Sequence, residues 1–148
     1  MVIRKATDMD ITGILALERA YFEEHEIQSL ERWEASLAYQ REYMHSILDR
    51  ITVCEEGDAV IGHILWDDWE GRVSINSIAV SREHRRKGIA KLLMHRLEEE
   101  LSGRYPTVHL QTLTTNPAQH LFDKLGYQRT GIKDGYIQYE KEIGVTHG

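Results

Sequence analysis

The sequence predicts a single α/β (α+β) domain: a central, mixed but mostly antiparallel sheet of six or seven strands with one parallel pair, flanked by about four helices. Three observations lead there. Residues 7–49 carry apolar side chains at helical spacing, whereas residues 51–80 switch to β-branched runs broken by Gly and Asp. The stretch from Ile75 to Leu93 then passes from a strand through a basic turn into a helix, and another strand follows at 108–113. A strand, a crossover helix and a second strand place the two strands parallel, with a right-handed crossover.

Each element has a local cause. Val2–Ala6 is a short strand. Thr7 is the expected N-cap of a first helix, with Asp10 near the capping-box position and Ile11, Ile14, Leu15, Tyr21 and Phe22 on one face as far as about Glu26. A second helix is expected from Ser29 to about Asp49, with Leu30, Trp33, Leu37, Met44, Ile47 and Leu48 as its apolar positions. Ile51–Glu55 and Val60–Trp66 form a hairpin around Gly57 and Asp58, and Arg72–Val80 continues the meander. A helix opens at Gly88, with Ile89, Leu92, Leu93 and Leu97 on its buried face, and ends near Ser102 and Gly103. Asn116 as N-cap, Pro117 in the first helical position and Gly126 at C′ bound a short helix whose stripe is Ala118, Leu121, Phe122 and Leu125. Asp134–Gly135 favours a type I′ turn between strands at 128–132 and 136–143. His147 falls in a tail expected to be loose.

Composition narrows the function. At 148 residues and 41% hydrophobic, the chain has the size of one domain with a full core, and residues 1–148 are expected to form it. A single cysteine, Cys54, excludes an intramolecular disulfide framework, and no His/Cys cluster has metal-ligand spacing. No signal peptide and no long apolar run are present, so the expected compartment is a reducing cytoplasm with no membrane partner. Net charge is −6, yet residues 82–91 hold five bases (Arg82, Arg85, Arg86, Lys87, Lys91) against one acid, Glu83. A basic spot on an acidic chain suits a small polyanion, whereas nucleic acid would need an extended basic face. The helix that follows the spot offers unpaired N–H groups to phosphate, and Gly88 allows close approach to the backbone.

The run Arg85-Arg86-Lys87-Gly88-Ile89-Ala90, after a strand ending Ile78-Ala79-Val80-Ser81, resembles the Arg/Gln-x-x-Gly-x-Gly/Ala signature of the GNAT N-acetyltransferases. The segment from Asn116 to Tyr127 resembles the family's late Asn-x-x-Ala…Tyr-x-x-x-Gly-Phe/Tyr motif, in family order and at family spacing. In outline the chain is similar to the ribosomal-protein alanine acetyltransferases. The resemblance implies a GNAT-like domain that binds acetyl-CoA through the turn from Arg85 to Lys91, with Asn116 and Phe122 also on the cofactor. It further implies that the backbone of Ile78, Ala79 and Val80 pairs with the pantetheine arm and supplies an oxyanion donor. The reaction implied is direct transfer of the acetyl group to an amine.

The acid and base positions depart from the family. Its leaving-group tyrosine is Phe122 here, its fifth-strand glutamate is Gln111, and its fourth-strand acid is Ser74. Gln111 can still orient water or substrate, and His109, on the same strand face, is a candidate base. His63 is a second candidate, since imidazole suits general-base work. His25 lies where the acceptor would approach. Glu23, Glu24 and Glu26 favour a cationic amine, either a small molecule or a protein or peptide amine; alternatively they are a solvated acidic face. Many family members dimerise, which makes a homodimer a candidate assembly. The losses at Phe122 and Gln111 motivate a second hypothesis, an acyl-CoA-binding sensor without turnover. A third, a nucleic-acid domain using the basic turn, would require binding with a steep salt dependence.

Overall fold

The computed structural model describes residues 1–144; the expectation for His147 lies outside them. Seven strands form one sheet in the order β1-β2-β3-β4-β5-β7-β6. The strands are β1 (Val2–Lys5), β2 (Ile51–Glu56), β3 (Ala59–Trp69), β4 (Arg72–Val80), β5 (Thr107–Leu113), β6 (Gln128–Lys133) and β7 (Tyr136–Glu142). The α-helices are α1 (Ile11–His25), α2 (Ile27–Ala35), α3 (Leu37–Ser46), α4 (Ile89–Leu101) and α5 (Gln119–Lys124). β4 and β5 pair in parallel through Val73–Val108 and Ser74–His109. β1 with β2, β2 with β3, β5 with β7 and β6 with β7 pair antiparallel.

The chain divides into two compact units, one of residues 1–65 and 77–93, the other of 66–76 and 94 onward. In the first, α1 starts behind a 3-10 turn at Asp8–Asp10. There the Thr7 N–H donates to Asp10 Oδ2 at 2.7 Å, the reciprocal half of a capping box. The core of this unit includes Ile11, Ile14, Leu15, Trp33, Met44, Ile51, Val53 and Leu65. The Phe22 ring lies 5.7 Å from Trp33. Where one helix was expected over 29–49, there are two. Ser36 leaves helical geometry at φ −98°, ψ 6°, and its hydroxyl donates to the Trp33 carbonyl at 2.7 Å, closing α2.

In the second unit, Val73, Val108, Leu101 and Tyr139 are all fully buried. Phe122 meets Tyr127 and Tyr139 edge-on, with ring centroids 6.2 and 5.7 Å away. The Tyr127 hydroxyl donates to Glu98 Oε2 at 2.9 Å, and Lys141 Nζ meets Glu98 Oε1 at 2.7 Å. Burial pushes the Tyr127 hydroxyl well above its ordinary range, and the neighbouring Glu98 charge adds to the effect. The closing hairpin turns at Asp134 (φ 52°) and Gly135 (φ 84°), both left-handed as a type I′ turn requires.

Two details differ from expectation. Leu92 is 43% exposed, because the buried stripe of α4 runs through Ile89, Leu93, Met94, Leu97 and Leu101. The regular part of α5 begins at Gln119, and Asn116 caps the turn before it, its Oδ1 accepting from the Ala118 N–H at 2.8 Å.

Candidate active site

The basic turn is assembled from the end of β4 onward. The Ser81 N–H donates to the Ile61 carbonyl at 2.8 Å, holding the chain to β3, and a 3-10 turn follows over Arg82–His84. Arg85 is extended, then Arg86 (φ 64°) and Gly88 (φ 76°) both enter the left-handed region. The Leu92 N–H donates to the Gly88 carbonyl at 3.0 Å, so Gly88 stands at the threshold of α4. The N–H groups of Ile89, Ala90 and Lys91 therefore have no acceptor within the helix. A Cβ built on Gly88 would meet nothing within 4 Å, so the backbone here borders open space. Two positive-φ residues just ahead of a helix N-terminus make a concave array of backbone donors suited to phosphate.

Gly62 sets how closely this helix approaches the sheet. A Cβ there would lie 3.1 Å from Ile89 Cγ2 and 3.4 Å from Leu93 Cδ1. A side chain at residue 62 would press on the first turn of α4, and Ile89 would have to give by a few tenths of an ångström. Sequence reasoning missed this glycine, although a lone Gly inside a strand pattern signals close approach.

The acids on α1 are already engaged. Arg85 forks onto Glu24, with Nη1 2.6 Å from Oε2 and Nη2 2.5 Å from Oε1. Arg82 Nη2 lies 3.4 Å from the same carboxylate, and His25 Nε2 lies 3.0 Å from it. The Arg85 hydrogen bond holds the Glu24 carboxyl below the usual carboxylate range, and Glu24 in return raises Arg85. Glu23 pairs with Arg19 at 3.0 Å on the next turn. Glu26 is buried at the junction of α1 and α2. His84 Nε2 lies 2.9 Å from Glu56 Oε2.

In the second unit, His109 and Gln111 are joined through Gln138. His109 Nε2 lies 3.0 Å from Gln138 Oε1, and Gln138 Nε2 donates to Gln111 Oε1 at 3.0 Å. These contacts put the imidazole proton on Nε2 and leave Nδ1, buried without a partner among the described residues, as the ring's basic atom. The ring also stacks at a tilt beside Trp69, 6.1 Å away. Asn116 and Phe122 are both buried, at 3% and 4% exposure. In the first unit, Ile78, Ala79 and Val80 are half-buried at the end of β4.

The sequence model of the Acetyltransferase (GNAT) family matches residues 12–127. The chain belongs to this family. It is therefore an acyltransferase. Among solved structures, the PaiA N-acetyltransferase of Thermoplasma acidophilum in complex with coenzyme A is 16% identical, with 95% of this chain and 98% of that one covered at a TM-score of 0.80. The ribosomal-protein-S18-alanine N-acetyltransferase of Escherichia coli is 16% identical over 99% of this chain and 96% of its own, at a TM-score of 0.73. An aminoglycoside 6'-N-acetyltransferase complexed with coenzyme A is 18% identical over 100% of both chains, at a TM-score of 0.78. At such identities the likeness is one of fold. No curated protein matches the sequence. Among the described residues of this GNAT chain, no group of His, Cys, Asp and Glu could hold a metal ion, and no helix is long and apolar enough to cross a membrane.

Proposed function

We propose that this chain binds acetyl-CoA at the turn from Arg85 to Lys91 and passes the acetyl group directly to an amine. The observation that carries this reading is the open backbone at Gly88, flanked by left-handed Arg86 and the first turn of α4. The pyrophosphate receives the N–H groups of that turn, and Arg86, Lys87 and Lys91 supply surrounding positive charge. The backbone of Ile78–Val80 pairs with the pantetheine arm, and the Ile78 N–H receives the thioester oxygen as charge develops on it. Holding both substrates contributes several kcal/mol without any side-chain chemistry.

Phe122 carries no proton for the thiolate. With an ordinary thiol range near ~8.5, departure as the free thiolate at neutral pH forgoes only about 2 kcal/mol. His109 and Gln111, through Gln138, orient groups on their strand face. The acceptor is a small cationic amine or a protein or peptide amine. The fold relatives named for an aminoglycoside and for a ribosomal-protein alanine span those two classes. Calorimetric titration of acetyl-CoA, beside thiol release with a panel of amines, tests the proposal. Binding with turnover on one or more amines supports it, and absence of acetyl-CoA binding refutes it.

A further inference from the structure

The first unit holds a buried polar cluster that the phosphate turn does not use. His63, on β3, is fully buried, and its Nε2 lies 2.8 Å from Ser77 Oγ on β4. Glu18 Oε2, on α1, lies 3.6 Å from the same nitrogen, and Glu18 is only 7% exposed. The Trp33 indole N–H, from α2, donates to Glu18 Oε1 at 3.4 Å. On β2 the residue opposite His63 is Val53, which brings no charge. Burying an imidazole and a carboxylate costs several kcal/mol that an apolar pair would avoid, so the cluster is not explained by stability. Its outer end is Ser77, half-buried and next in sequence to Ile78.

We propose that Ser77, backed by His63 and Glu18, carries the proton of the acetyl transfer; this rests on the acetyl-CoA reading above, in which the Ile78 N–H faces the thioester oxygen. Ser77 is the catalytic residue, and His63 and Glu18 are positioning residues that act through it. The acceptor ammonium gives a proton to Ser77 Oγ as the Ser77 hydroxyl passes its own to His63 Nε2. The freed amine attacks the thioester carbon, a C–N bond forms, and the C–S bond breaks. The departing thiolate then takes the Ser77 hydroxyl proton while the Nε2 proton returns to Oγ. His63 is left neutral, and the second proton lost by the nitrogen goes to solvent. The Glu18 carboxylate balances the imidazolium while it exists. The route supplies both the base missing at Gln111 and Ser74 and the acid missing at Phe122.

The relay requires that neutral His63 carry its proton on Nδ1, a buried atom with no hydrogen-bond partner among the described residues, and present a bare Nε2 to the Ser77 hydroxyl. Long-range proton–nitrogen NMR on the full chain at neutral pH, with His63→Gln used only to assign the signals, reads this directly. An unprotonated Nε2 is expected; a neutral ring with the proton on Nε2 overturns the relay. Kinetics give a second arm, with thiol release measured on spermidine, an aminoglycoside and a peptide with N-terminal alanine. Ser77→Ala should lower kcat about a hundredfold, leave the acetyl-CoA affinity unchanged by calorimetry, and recover most of the loss as Ser77→Thr. Glu18→Gln, which keeps the shape of the side chain, should lower kcat with the same unchanged affinity. Ser77→Ala turning over at the wild-type rate overturns the proposal. If the wild-type protein binds acetyl-CoA but acetylates none of the panel, the acceptor reading fails by itself and the nitrogen assignment decides the relay.

Discussion

Replacing Gly88 separates two contributions that the phosphate turn combines. Its φ of 76° lies where a side chain is strained, yet a Cβ there meets nothing within 4 Å. Gly88→Ala therefore carries a backbone cost alone, about 1–2 kcal/mol. For a chain of 148 residues, that corresponds to a fall in Tm of roughly 2–8 °C. Gly88→Glu carries the same cost and adds a carboxylate at the phosphate position. Two negative charges ~4 Å apart at an effective dielectric constant near 20 repel by about 4 kcal/mol, equivalent to about a thousandfold in Kd. Thermal unfolding should give similar Tm values for the two variants, while calorimetry should show acetyl-CoA binding weakened modestly in Gly88→Ala and abolished in Gly88→Glu. A folded Gly88→Glu protein with wild-type affinity would remove this turn from the cofactor site.

Three further outcomes follow from side chains already described. Glu24→Gln should tighten acetyl-CoA binding about two- to fivefold at low salt, because the carboxylate no longer competes with phosphate for Arg85; exposed ion pairs are worth ~0.2–1 kcal/mol, and calorimetry at two salt concentrations reads the change. Asp10→Asn should destabilise the protein by about 1–2 kcal/mol at neutral pH through loss of the carboxylate charge that Arg4 grips, read by denaturant unfolding. Arg4 and the Thr7 N–H hold the Asp10 carboxyl below its usual range, so its contribution is complete above the unfolded carboxylate range and disappears as pH falls through the native one. The gap between Asp10→Asn and the wild-type protein should therefore close in acid. Tyr127→Phe should cost about 1.5–3 kcal/mol by removing a hydrogen bond to the half-buried Glu98 charge, again read by denaturant unfolding.

The elements that could be located from sequence are those whose causes are local. The hairpin at Asp134–Gly135 follows from two adjacent residues that tolerate positive φ, and the phosphate turn follows from a strand, a basic run and Gly88. The break between α2 and α3 was hidden, because Ser36 interrupts the helix for one residue without disturbing the apolar spacing around it. Leu92 is hidden for a related reason: a 3.6-residue period admits it beside Ile89 and Leu93, and only packing turns it outward. The site was less legible than the fold. Glu24 reads from sequence as an acid near the acceptor side, but its bidentate grip on Arg85 joins residues 61 apart in sequence. Ser77 carries no local signal at all, since only the sheet brings it to His63, and only α1 brings Glu18 to both.

The burial of Cys54 bears on how this protein can be studied. The single thiol of the chain is enclosed within β2, and desolvation pushes it above its ordinary range, away from the reactive thiolate. A chromogenic thiol reagent added to the native protein should leave this cysteine untouched, so colour developed during an assay would count coenzyme released, turnover by turnover, against a silent background. Colour that develops without acetyl-CoA would instead count molecules that have opened. The same reagent thus serves as a catalytic meter in one cuvette and an unfolding probe in the next.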